Sequence, residues 1–173
     1  MNENKLKEDF IKYFGKDKWH QEEVLGSLQQ IVYHVCENWL GIESLPILFS
    51  EHIGSDEARL DIDEKVIWLN PKNQSNWINL LDSVFHELEH LYQLHYVSSY
   101  DTSKAKRWRN EIMNYIGSED PIGNLTQEIE LDAMAFAQIV LADDFGIKHE
   151  HEDPIIQELI NNYINSGKML NDN

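Results

Sequence analysis

Phe85-His86-Glu87-Leu88-Glu89-His90-Leu91-Tyr92-Gln93 decides how the chain is read. It lies in a run from about Ser75 to Val97. There Trp77, Leu80, Leu81, Val84, Leu88 and Leu91 recur at three- and four-residue spacing with no Gly or Pro among them, the pattern of an amphipathic helix. Residues four apart share one face of a helix, so His86 and His90 aim two imidazoles at one point. Glu87 is turned about 100° from His86, too far round to join them but near enough to reach a water on a metal held there. The His-Glu-x-x-His pattern therefore supplies two candidate metal ligands and one candidate base. With 8 His and 18 Glu in 173 residues, about 0.04 accidental matches are expected, so the pattern is read as chemistry rather than as an exposed polar face.

The 173 residues read as one domain, 1–173, long enough to bury about 70% of the surface its unfolded form exposes. No metal is needed to hold such a core together, so a metal site here serves chemistry. The single Cys36 sits among Val32, Val35 and Leu40, reads as a buried thiol and offers no disulfide. The first ten residues are charged and lack the apolar core of a signal peptide, and no stretch approaches eighteen apolar residues; a soluble cytoplasmic protein is expected. A formal charge of −17 argues against direct binding to nucleic acid or to an anionic membrane, since either needs a basic patch. The densest basic segment, Lys104 to Arg109, reads as a solvated helix face, or else as a small anchor for an acidic partner.

Upstream of the motif, residues 1–45 carry helices at about Lys5–Phe14 and Gln21–Trp39, stopped by Gly15 and Gly41. Over residues 46–70 the period changes. Pro46–Ser50, Ala58–Asp63 and Lys65–Asn70 predict a small, mostly antiparallel three-stranded sheet, with turns at Gly54-Ser55-Asp56 and Asp63-Glu64, and Pro71 leads from it into the motif helix over 75–97. Downstream, the segment 103–144 predicts two helices separated by a loop at Gly117–Asn124. The first, to Ile116, turns Trp108, Ile112, Met113 and Ile116 inward; the second starts from Thr126 as N-cap and is apolar nearly all round after Asp132, which marks it as buried. A last helix, 153–167, opens on Asp153-Pro154 and ends at Gly167. The fold class is α+β. His20, His34 and His52 lack partners at metal spacing, His95 is turned off the shared face, and the alternating His149 and His151 of an acidic loop carry little weight as ligands.

Zinc bound for catalysis takes three protein ligands and keeps a fourth position for water. Glu130 is the preferred third. Ala133, Met134 and Ala137 follow it at three, four and seven residues, a small face that lets its helix approach the motif helix, and a carboxylate in so apolar a neighbourhood needs a cation. The bland reading puts Glu128 and Glu130 in an exposed first turn favoured by the helix dipole.

These residues resemble the zinc metallopeptidases of the ImmA/IrrE family, within the gluzincin group. His86-Glu87-Leu-Glu-His90 and then Ile129-Glu130-Leu131-Asp132-Ala133-Met134-Ala135-Phe136-Ala137 are similar to that family's His-Glu-x-x-His followed by Glu-x-Glu/Asp-Ala-Asp/Asn-x-Phe-Ala, and the likeness covers roughly Pro46 to Leu141. The resemblance implies a zincin-like fold, one catalytic zinc on His86, His90 and Glu130, and Glu87 as general base of an endopeptidase whose protein substrate is often a repressor. The chain departs from the pattern at Met134, where gluzincins usually place an Asp or Asn that orients a zinc-bound His. An alternative frame takes Glu128 as ligand with Asp132 four residues on, and loses the match at Ala133, Phe136 and Ala137. Peptide hydrolysis also calls for a donor to the oxyanion, for which Tyr100 and Tyr115 are available. The substrate is expected to lie extended along an outer strand near Val66–Asn70. A second expectation is a metal-bound interaction or regulatory module, phage- or toxin-associated, with little or no turnover.

Overall fold

Phe10, fully buried in the first helix α1 (Glu3–Phe14), meets Trp77 edge-on with ring centroids 6.4 Å apart, so the start of the chain is packed against the start of the motif helix. The computed structural model describes residues 3–14, 21–54, 56–70, 76–117 and 120–167. Gly15, Ser55, Pro71 and Ser75, to which stops, starts or turns were assigned above, lie outside them, as does His20, read above as lacking partners at metal spacing. Helix α2 (Gln21–Val35) buries Val24, Leu28, Ile31, Val32 and Val35 as their spacing predicts, then widens into one π-helical turn, Cys36–Leu40. Gly41 closes that turn at φ 64°, a left-handed conformation that a side chain with a Cβ adopts only at a cost. Cys36 is buried, and burial pushes its thiol up to about 12, as befits a packing residue.

The sheet holds β1 (Ile47–Phe49), β2 (Ala58–Asp61) and β3 (Val66–Leu69) in the order β1-β3-β2. Strands β2 and β3 form an antiparallel hairpin, in whose turn the Asp61 side chain accepts the Glu64 N–H at 2.8 Å; β1 pairs with β3 in parallel. The sheet is therefore mixed, and the expected antiparallel pairing holds for one of its two ladders. It also places Val66–Leu69 in the centre, hydrogen-bonded on both sides, so the stretch expected to be the outer strand is not one. Continuous apolar runs such as Val66-Ile67-Trp68-Leu69 belong to enclosed strands, while the broken run Arg59-Leu60-Asp61 belongs at an edge.

Helices α3 (Trp77–Ser99), α4 (Ser103–Met113), α5 (Pro121–Leu125), α6 (Glu128–Phe145) and α7 (Pro154–Asn165) complete an α+β arrangement of seven α-helices and the small sheet among the described residues. The core sits where α3 packs on α6. Leu80, Leu81, Val84, Phe85 and Leu88 are fully buried on one side, and Ala133, Phe136, Ala137, Val140 and Leu141 are buried on the other. Each of the larger side chains contributes about 1.5–3 kcal/mol on burial. On another face α6 receives Ile156, Ile160 and Tyr163 of α7, and Met134 packs with that cluster. Asp153 caps α7 as expected, accepting the Ile155 N–H at 2.8 Å.

Four expectations change. The loop 117–124 contains α5, capped by Asp120 through the Gly123 N–H; five residues are too few for a periodic signal. Thr126 does not cap α6 but closes α5, its hydroxyl donating to the Ile122 carbonyl at 2.9 Å. Helix α4 ends at Met113, which is 79% exposed, and Ile116 is also turned outward. The basic segment is a solvated face only in part: Lys106 and Arg107 are exposed and pair with Asp101 and Glu128, and half-buried Arg109 donates to the Val97 carbonyl, whereas Lys104 is buried with its Nζ 4.3 Å from the Trp108 ring centroid. Among the described residues no helix is long and apolar enough to cross a membrane.

Candidate metal centre

Helix α3 is started by Asn76, whose side chain accepts the N–H groups of Ile78 and Asn79, and it runs unbroken through the motif. His86 and His90 leave it on one face with their Nε2 atoms 2.9 Å apart. Glu130 meets them from the first turn of α6, with Oε2 3.2 Å from His86 Nε2 and Oε1 3.6 Å from His90 Nε2. Ala133 and Ala137, buried on the same helix, leave room for that approach. Among the described residues these three are the group of His, Cys, Asp and Glu whose donor atoms, all within 4.8 Å of one another, can hold a metal ion. A tetrahedral ion with bonds of 2.0–2.2 Å spaces its ligand atoms by about 3.3 Å, so the observed separations fit the group.

The sequence left two candidates for the acid. Glu128 is engaged elsewhere: Arg107 grips both of its carboxylate oxygens at 2.9 Å. The N-terminus of α6 is capped from outside itself, by Glu111 of α4 accepting the N–H groups of Glu128 and Ile129 at 3.1 and 3.0 Å. That cap settles the register in which Glu130 faces α3. Glu87 stands beside the two histidines with Oε2 receiving the Leu60 N–H of β2 at 2.8 Å, which ties the candidate base to the edge strand.

Of the two tyrosines, Tyr115 is at the site and Tyr100 is not. The Tyr115 hydroxyl donates to Glu130 Oε1 at 2.8 Å and accepts from Asn124 at 2.9 Å, whereas Tyr100 caps the far end of α3, stacked on Tyr96 at 4.7 Å. Tyr115 reaches there because α4 stops early and the Gln127 side chain binds both the N–H and the carbonyl of Ile116. Burial and the Glu130 carboxylate push the Tyr115 hydroxyl up to about 12, so it stays a proton donor at neutral pH.

Gln93, one turn past His90, carries a contact that the sequence reading overlooked: its Oε1 lies 2.9 Å from His90 Nδ1. The only signal was an amide in an otherwise apolar position of the helix. The other described histidines are not among the converging donors. His34 is 3.2 Å from Asp144, His52 and His95 are exposed, His149 lies 3.9 Å from Asp82, and His151 Nδ1 accepts the Asp153 N–H.

Two cavities meet at the triad. One, about 310 Å³, has an apolar wall of Leu60, Ile62, Leu94, Ile112 and Ile129; the other, about 680 Å³, is polar and bounded by Asp56, Arg59 and Asn124. Together they form a cleft along the outer edge of β2.

Burial opposes charge on His90, but the Glu130 carboxylate above all, with Glu87 and Gln93, outweighs it and raises the pKa to about 9. Burial likewise opposes charge on Glu130, and the hydrogen bonds from His86 and His90 hold it well below the usual carboxylate range. A histidine whose folded pKa exceeds its ordinary value of about 6.5 stabilises the fold fully below that pH and loses the contribution as pH rises through about 9. A metal takes the neutral imidazole, so binding at pH 7 is expected to release about one proton from His90, and affinity is expected to rise with pH up to about 9. Calorimetric titration with zinc in buffers of different ionisation enthalpy reads the released proton. Proton-free, pH-independent binding across that window contradicts the expectation. No family model, curated protein or solved structure matches this chain.

Proposed function

We propose that this chain is a zinc-dependent endopeptidase of the gluzincin type, with a zincin-like fold, in keeping with its resemblance to the ImmA/IrrE family. The observation that carries the reading is the meeting of a buried carboxylate from α6 with two imidazoles from α3, with Glu87 held beside them. His86, His90 and Glu130 would hold the ion. When bound, zinc supplies Lewis acidity, lowering the pKa of a water to about 7 and polarising a carbonyl.

Every other part of the reaction falls to the chain's own groups. Glu87, kept in place by the Leu60 N–H, takes the proton of the attacking water and passes it to the leaving nitrogen, so no free hydroxide or amide anion is formed. The Tyr115 hydroxyl, turning away from Glu130 Oε1, donates a hydrogen bond to the charge that develops on the carbonyl oxygen, an arrangement worth about 10²–10³ in rate for comparable donors. Peptide groups alternate in direction along a strand, and Leu60 N–H points away from β3 towards Glu87; the outward edge of β2, not β3, then receives an extended substrate as an added strand. The apolar wall at Leu60, Ile62, Leu94 and Ile112 suits an aliphatic or aromatic side chain next to the bond that is cut. The substrate is a protein, a repressor on the family resemblance, and the acidic chain favours a basic one; a cytoplasmic setting belongs to the same proposal.

The test is cleavage of a broad peptide library, read by mass spectrometry, by zinc-loaded and zinc-stripped protein. Cleavage confined to the loaded form is expected, and no difference between the two sinks the proposal. Tyr115→Phe should then lower kcat about 10²–10³-fold with KM nearly unchanged, since the lost bond forms mainly in the transition state. A KM effect alone would make Tyr115 a substrate-binding residue instead.

A further inference from the structure

We propose that Gln93 is the positioning residue of the metal centre, setting His90 in the tautomer that offers Nε2 to the ion. The inference rests on reading His86, His90 and Glu130 as metal ligands, and it answers the question left by Met134, which faces α7. An imidazole presents a lone pair at Nε2 only if its proton sits on Nδ1, and that proton then needs an acceptor. Gln93 Oε1, 2.9 Å from Nδ1, is such an acceptor, on a side chain only 1% exposed.

The amide of a glutamine can face either way, so its direction must come from what surrounds it. Here the other end decides. Gln93 Nε2 lies 2.9 Å from the Ile129 carbonyl and 3.4 Å from Asp132 Oδ2, and a backbone carbonyl can only accept. The NH₂ group must face them, which turns Oε1 to His90. Asp132 is itself fixed: it is 1% exposed and its Oδ1 accepts the Tyr163 hydroxyl at 2.9 Å. The chain Tyr163, Asp132, Gln93, His90 thus runs from α7 through α6 to the centre, and each member polarises the next. A neutral amide orients the ring without placing a second carboxylate against it. It also joins the two ligand-bearing helices at the level of the site, because Ile129 adjoins Glu130.

The experiment compares the wild type with Gln93→Met, which keeps the volume and removes the acceptor. Zinc affinity is measured by competition with a chromophoric chelator, the cobalt-substituted forms by their visible absorption, and folding by the melting temperature of the metal-free proteins. A loss of about 10–100-fold in affinity with an altered cobalt spectrum and a folded metal-free variant is expected. Equal affinity with an unchanged spectrum overturns the proposal while leaving the metal site standing. A wild type that binds no zinc removes the ligand reading and this inference together. Should Gln93→Met not fold, nitrogen-15 imidazole spectra of zinc-loaded wild type decide: a slowly exchanging proton on His90 Nδ1 with zinc on Nε2 supports the assignment, and zinc on Nδ1 or a rapidly exchanging proton there refutes it.

Discussion

Glu87→Gln is expected to keep its zinc and lose about 10²–10⁴-fold of its peptidase rate. General bases placed in a transition state contribute on that scale. The substitution is close to isosteric and removes only the ability to take a proton. Its amide oxygen can still accept the Leu60 N–H, so the tie between α3 and β2 at 2.8 Å survives and the cleft keeps its shape. Glu87 is not one of the three converging donors, so metal content should remain equal to wild type. Metal analysis of protein purified without a nickel column, together with library cleavage, reads both quantities. Equal turnover in the two proteins removes Glu87 from the chemistry. Equal absence of turnover, with zinc bound in both, favours a metal-bound interaction module over an enzyme.

Glu130→Gln should abolish tight zinc binding, whereas Glu128→Gln should leave it intact. A ligand present at a hundred times its Kd stabilises a fold by about 2.7 kcal/mol. In a chain of this size each kcal/mol moves the melting temperature by about 2–4 °C, so saturating zinc should raise that of the wild type by roughly 5–10 °C. The same rise is expected for Glu128→Gln, which weakens the pairing with Arg107, an exposed cation, and leaves the three converging donors in place. It should vanish in Glu130→Gln, where a neutral oxygen replaces the carboxylate that both imidazoles face. Zinc shifts of the same size in all three proteins would remove Glu130 from the site. A shift lost in Glu128→Gln alone would restore the alternative frame.

How much of this was legible beforehand depends on how far apart in sequence the cause lies. The motif helix could be read because its evidence is local: a period of 3.6 fixes which residues share a face, and four-residue spacing brings His86 and His90 together whatever else the chain does. Asp153 and Gly41 were legible for the same reason, since a cap acts within one turn of its own helix. Tyr115 could not be told from Tyr100, because its place depends on α4 ending at Met113 and on Gln127 binding Ile116 from another segment. Thr126 looked like a cap for α6, but the acceptor for that helix comes from Glu111, across a helix boundary.

By itself the sequence determined the α+β class, the motif helix with its two imidazoles and neighbouring acid, and the buried character of the helix that carries Glu130. All of these follow from periodicity and composition over a few turns. Only the tertiary structure decided that Glu130 and not Glu128 meets the histidines, that β2 rather than β3 forms the edge, and that Gln93 holds His90. Each of those outcomes turns on which partner a polar group finds after distant elements have packed. Shape and burial in the assembled core make that choice, which spacing along the chain can favour but does not fix.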